Sequence, residues 1–234
     1  MSKKTRIIFE IIVVAAIISG LAFYFYNQYQ KSIIKEDPQI ELIRQIVTLK
    51  FVKGGLSQEI KDKYKEIFIP QAEKFLDNPY SAEAFWPLIQ IGQIKRLSGD
   101  YQGAKEAFIW VVELQPKSYL AHGNLADVYF RHFQDFVKAE EHYLKAIESD
   151  SPQTVKYYFE LHEIYHYFHK QETALAEDIL KQGIEKFPQE TDLMSTLARY
   201  YKKVGRYKEA REYYLKVLEI NPDSQVAKKG LEDL

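Results

Sequence analysis

From residue 85 to the end of the chain, apolar and small residues recur at helical spacing. Ala104 and Phe108, Ala139 and Tyr143, Ala176 and Leu180, and Ala210 and Tyr214 each stand four positions apart, one turn on the same helical face. Upstream, the pairs Ile91-Gly92, Leu125-Ala126 and Leu197-Ala198 place a small residue after an apolar one, with Tyr129 and Tyr201 on the following turn. Each small residue lets two helices approach, and each large one fills the space beside it. Gly99 and Gly205 break the helices before Asp100-Tyr101 and Arg206-Tyr207. Pro116, Pro152, Pro188 and Pro222 then recur at intervals of 36, 36 and 34 residues. Self-similarity at this period predicts an array of helical hairpins, each unable to bury its apolar stripe without a neighbour.

Upstream of the array, the pattern predicts two further helices between Pro38 and Tyr80, split at Gly54-Gly55. The second is expected to be interrupted at Pro70, and the pair to form a degenerate opening hairpin over 38–80 that ends at Asn78-Pro79. At the other end, Gln225 to Leu234 reads as a polar-faced helix covering the last hairpin.

The spacing resembles the tetratricopeptide repeat, whose 34-residue pattern runs aromatic, Leu-Gly, Tyr, then Ala, aromatic and Pro. Thr191 to Ser224 carries it without gaps, and Phe85 to Ser118 departs at Lys95, where the family prefers an aromatic. Tyr119 to Thr154 and Val155 to Glu190 need two extra residues each, expected mostly in turns. The resemblance implies an all-α fold, an α-solenoid of four repeats at 85–118, 119–154, 155–190 and 191–224 with a capping helix at 225–234.

The N-terminus follows a different pattern. After the basic tail 1–6, with Lys3, Lys4 and Arg6, the run 7–26 is almost wholly apolar. Its length at about 1.5 Å per residue covers about 30 Å, the thickness of a bilayer's hydrocarbon core. Glu10, four residues after Arg6, fits an interfacial pair, and Phe23, Tyr24, Phe25, Tyr26 and Tyr29 form an aromatic belt at the far end. The expectation is one transmembrane helix, a polar stalk over 27–37, a cytoplasmic N-terminus and an extracytoplasmic repeat domain. A cleaved signal peptide shares the basic start and the apolar run, with Gly20-Leu21-Ala22 as its small-residue site.

Composition narrows the functions. The chain is 46% apolar and 28% charged with a formal net charge of -1, which is globular and gives no basic surplus for nucleic acid. It has no cysteine, which excludes disulfides, thiolate metal sites and cysteine nucleophiles. No phosphate-cradling glycine loop or nucleophile elbow is present, and no cofactor is implied.

One motif has the form of catalytic chemistry. His162-Glu163-Ile164-Tyr165-His166 spells H-E-x-x-H, with His169 one turn on. In zinc peptidases this spacing sets two imidazoles on one metal, with the glutamate as general base. The segment falls inside the first helix of the third hairpin, with no room for a separate substrate cleft. Metal binding by His162, His166 and His169 is therefore the alternative, and an enzyme is not the leading expectation. His162 also stands at the small-residue position of Gly92, Ala126 and Ala198, where a bulky ring should spread the hairpin or shift the register.

In the family that the chain resembles, the first helices of successive hairpins line a groove for an extended peptide or a partner's helix. Carried over, the groove residues would be Trp86, Gln93 and Arg96; Asp127, Phe130 and Arg131; Phe159, Glu163, His166 and Tyr167; and Arg199, Lys202 and Lys203. Family members that clamp a C-terminal carboxylate use lysines with asparagines, whereas Asp127 and Glu163 stand near the middle here. The resemblance implies a non-enzymatic, membrane-anchored adaptor for other proteins, with self-association through the groove as a structural alternative.

Overall fold

The computed structural model describes residues 38–168 and 173–234. Among them are eleven α-helices and no strand. The basic tail, the apolar run 7–26, the stalk and His169 lie outside the described residues, within which no helix is long and apolar enough to cross a membrane. The helices fall into two compact units that divide after Pro116.

The first unit comprises α1 (Pro38–Val47), α2 (Gln58–Asp77), α3 (Phe85–Ser98) and α4 (Tyr101–Leu114). α3 and α4 form a hairpin. Gly99 closes α3 at φ 88°, a left-handed conformation that glycine adopts at no steric cost, and Asp100 caps α4 by accepting the Gly103 N–H at 3.0 Å. A Cβ at Gly92 would stand 2.5 Å from the Phe108 ring, so the small residue allows the two helices to meet.

α1 packs on α4 and α2 on α3. The expected opening hairpin therefore takes another form, two helices each laid on the first repeat. Pro70 does not interrupt α2, which runs from Gln58 to Asp77 as one helix. Pro70 and Glu66 are exposed, so the Glu66 carbonyl that loses its helical N–H partner faces water instead. On the other face Phe68, Ala72 and Phe75 are buried, with Phe75 edge-on to Trp110 at 5.7 Å. Trp110 Nε1 donates to the Pro79 carbonyl at 3.0 Å, which fixes the turn that leads into α3.

The second unit holds three hairpins: α5 (Tyr119–Val128) with α6 (Phe136–Ile147), α7 (Val155–Glu163) with α8 (Thr173–Lys186), and α9 (Thr191–Lys203) with α10 (Tyr207–Ile220). α11 (Gln225–Glu232) follows. Ser118, Asp135 and Ser224 accept N–H bonds at the starts of α5, α6 and α11. The small and large residues of the repeat face inward: Ala139, Ala176 and Ala210, and Tyr143, Leu180 and Tyr214, are all buried. α11 places Ala227 in a cluster with Met194, Ala198, Tyr214 and Val217, and so covers the last hairpin.

The extra residues of the two 36-residue repeats are not all in turns. π-helical segments, Tyr129–Phe133 and Ile164–Phe168, extend α5 and α7, whereas α9 of the 34-residue repeat ends without one. A π turn takes up one residue more than an α turn, so part of each insertion is absorbed within the first helix.

Successive hairpins are clasped by tyrosine hydroxyls. Tyr165 donates to Glu140 at 2.8 Å and Tyr201 to Glu177 at 2.7 Å. In both pairs the acceptor immediately follows the repeat's buried alanine on the previous hairpin, Ala139 or Ala176.

Candidate functional site

In the second unit the first helices lie side by side. Arg131, in the π segment after α5, reaches Glu160 of α7 with Nη2 at 2.5 and 2.6 Å from the two carboxylate oxygens. Burial, only partly offset by Arg131, holds the Glu160 carboxyl above the usual range. Between α7 and α9 the side chains part to leave a cleft of about 420 Å³, lined by Phe159, His162, Glu163, His166, Tyr167, Thr196, Arg199, Tyr200 and Lys203.

Helical spacing builds both walls. Phe159, Glu163 and His166 recur at four and three positions along α7 and its π extension, and Thr196, Arg199 and Lys203 at three and four along α9. The floor is aromatic. The rings of His162 and His166 are stacked 5.7 Å apart at 11°, and Tyr200 stands edge-on to both, at 5.3 and 5.2 Å.

A carbonyl only accepts, so His162 donates its Nδ1–H to Ala176 at 2.8 Å. The ring at the small-residue position thus bonds to the facing helix across the hairpin. Lys203 donates to His166 Nε2 and to the Tyr167 hydroxyl, both at 3.1 Å, and its ammonium lies 4.5 Å from the centre of the Tyr167 ring. Arg199 Nη2 donates to Thr196 Oγ1 at 3.0 Å. Burial lowers the proton affinity of His162 and, together with Lys203, that of His166, so both imidazoles are neutral near neutral pH.

This arrangement does not favour the zinc-peptidase alternative. Two ligand histidines must turn free lone pairs toward one ion, yet the His166 Nε2 lone pair is taken by an ammonium group and the two rings lie parallel. Among the described residues no group of three or more histidines and carboxylates could hold a metal. The proposed third ligand, His169, lies outside those residues.

Of the residues assigned to the groove by resemblance, Phe159, Glu163, His166, Tyr167, Arg199 and Lys203 meet around the cleft. Lys202 turns away and pairs with Asp233 after α11 at 3.5 Å. Phe130 is 6% exposed and packs on Phe136 and Phe168, while Asp127 accepts the buried Tyr143 hydroxyl at 2.6 Å. Both are committed to packing within the unit. Trp86, Gln93 and Arg96 belong to the first unit, where Trp86 is 61% exposed and the other two are half-buried. Thr196 and Tyr200 were missed. Thr196 was legible, three residues before Arg199 and seven before Lys203 on one helical face.

Residues 90–154 and residues 191–224 match family models described as the tetratricopeptide repeat. Tetratricopeptide repeats are thus found in these two segments. Comparison with curated proteins found no match. Solved structures with the same fold include MamA from Desulfovibrio magneticus, at 18% identity over 81% of this chain and 98% of that one, TM-score 0.54. YrrB, described as a tetratricopeptide-repeat protein with an unusual peptide-binding site, aligns at 15% identity over 75% of this chain and 87% of its own, TM-score 0.53. A tetratricopeptide-repeat protein from Parabacteroides merdae aligns at 17% identity over 82% and 70%, TM-score 0.57. At these identities the likeness shows the fold, an all-helical repeat solenoid.

Proposed function

We propose that this chain is a membrane-anchored adaptor whose repeats bind a peptide segment of a partner protein, with the cleft between α7 and α9 as the principal seat. The observation that carries the reading is the cleft itself. It is a concave channel between first helices, walled by aromatic rings and an arginine, the residue types that concentrate binding energy at interfaces, with a lysine beside them. Tetratricopeptide-repeat proteins commonly mediate protein–protein contacts, and the cleft lies on the first helices where such contacts form. No step of covalent chemistry is part of this reading.

The anchor is the apolar run 7–26, which is long enough to span a bilayer and is flanked by Lys3, Lys4 and Arg6. The basic end would stay in the cytoplasm and the repeats would lie across the membrane. The test is site-specific photo-crosslinking of the full chain in native membranes, with the reactive group at Phe159 or Tyr167, and at Lys145 on α6 as a control outside the cleft. Capture of one distinct partner at the cleft sites alone supports the adaptor. Equal background at all sites, or self-crosslinks alone, overturns it and favours a structural oligomer. Recovery of the chain in the carbonate-soluble fraction would overturn the anchor.

A further inference from the structure

The geometry points to the cleft between α7 and α9 as a seat for an internal acidic side chain of the bound segment, its carboxylate held by Arg199 and Lys203. The inference rests on the adaptor reading and names the chemistry of the occupant.

Arg199 and Lys203 stand one turn apart on the cleft face of α9, so their charged groups serve one site. Their hydrogen-bond partners within the fold are neutral groups: the Thr196 hydroxyl for Arg199, and His166 Nε2 with the Tyr167 hydroxyl for Lys203. Elsewhere in this unit, cations at the repeat contacts meet carboxylates, as Arg131 meets Glu160 and Arg206 meets Glu177. The cleft breaks that habit. Glu163 lines the wall but forms no ion pair of 4.0 Å or less with either cation among the described residues. An incoming carboxylate would gain two charge-assisted hydrogen bonds, and Arg199 can offer two parallel N–H groups to it. Phe159, Tyr167 and Tyr200 would cover the stem of the acidic side chain and keep water from the pair.

A side-chain carboxylate fits better than a chain terminus. Among the described residues that line the cleft there is no asparagine or glutamine to bond the backbone of a terminal residue, as the lysine-and-asparagine set does where a terminal carboxylate is clamped. The cleft also extends over two turns of each wall, from Phe159 to Tyr167 and from Thr196 to Lys203, which suits a segment that runs through it.

The experiment is selection of displayed random linear peptides on the full chain in detergent. One library presents each peptide internally and a second presents it with a free C-terminus, and both are repeated on the Arg199→Gln/Lys203→Gln double variant. Thermal unfolding of that variant is expected to match wild type, because both side chains are surface groups of α9; Arg199→Gln alone serves as the second variant should it not. The expected result is enrichment from the internal library of peptides with aspartate or glutamate at one fixed position. Replacing that residue by its amide should weaken binding about tenfold, and the double variant should lose the preference. Enrichment without an acidic position overturns the anion seat and leaves the adaptor reading standing. Enrichment from the free-terminus library alone assigns the cations to a terminal carboxylate and overturns the internal one. No enrichment from either library removes the peptide-binding reading, and this inference with it.

Discussion

Lys95 Nζ lies 2.8 Å from Asp100 Oδ2 at the turn between α3 and α4, with the lysine side chain wholly buried. The same ammonium donates to the carbonyls of Gln45 and Thr48, at 3.0 and 2.6 Å, so one side chain ties the end of α1 to the first repeat. Lys95 occupies the position at which the later repeats have Tyr129, Tyr165 and Tyr201. A tyrosine there would leave those carbonyls without a donor. Lys95→Ala would strand the buried Asp100 carboxylate and remove the donor of two carbonyls at the partly exposed end of α1, and is expected to cost about 3–5 kcal/mol. Urea unfolding of the variant measures it, and a loss below about 1 kcal/mol would mean that water replaces the ammonium at no great cost.

Gly92 faces Phe108 with no space for a further carbon. Gly92→Ala is expected to force the ring aside and destabilise the first unit by about 1–3 kcal/mol, although alanine is the better helix former by about 1 kcal/mol. Pairing it with Phe108→Leu should recover part of the loss, and a double-mutant cycle in chemical denaturation reads the coupling.

The clasp between hairpins predicts a smaller effect. Tyr201→Phe removes the hydroxyl that bonds Glu177, but Glu177 keeps Lys181 and Arg206 at 2.5 Å each. The expected cost is about 0.5–1.5 kcal/mol, since the acceptor is not left bare. Arg206→Ala in the Tyr201→Phe background should cost more than it does alone.

How much of this was legible depended on what the sequence pattern measures. Periodicity reads burial, so the hairpins and their alanine and aromatic contacts are legible in the 104–108 type of pair and in the proline spacing. It does not read hydrogen-bond register. An extra residue taken up in a π turn and one added to a loop lengthen a repeat alike, so the spacing alone points mostly to turns. Pro70 does not end its helix because the carbonyl that its ring crowds and leaves unbonded is on an exposed face and can turn to water, and exposure of that face is not visible in the sequence of a single helix. For the cleft, the family resemblance named Glu163, His166, Tyr167, Arg199 and Lys203, and these side chains meet around it. Phe130 could not be separated from them, since an aromatic at such a position serves a groove or a core equally well.

His122 and His142 sit Nδ1 to Nδ1 at 2.9 Å, with the Tyr129 ring stacked flat on His142. Such a bond needs one ring nitrogen without a proton. Burial first, and then His122, lower the His142 proton affinity to a pKa of about 4. An imidazole whose folded value lies below its unfolded value of about 6.5 stabilises the fold above the unfolded value, and that stability is lost as pH falls toward the folded one. Stability should therefore drop between about pH 6.5 and pH 4, by about 1–2 kcal/mol once partial exposure of the ring is allowed for. Thermal unfolding across that window checks it, and His142→Phe should flatten the dependence.

A partner's peptide seated between α7 and α9 would depend for its affinity on the side chains of that cleft. Fluorescence anisotropy with a selected peptide should show binding weakened about tenfold or more by Tyr167→Ala and by Lys203→Gln, with Lys145→Ala equal to wild type. Equal affinity in all three variants would contradict this seat and move the binding surface off the cleft.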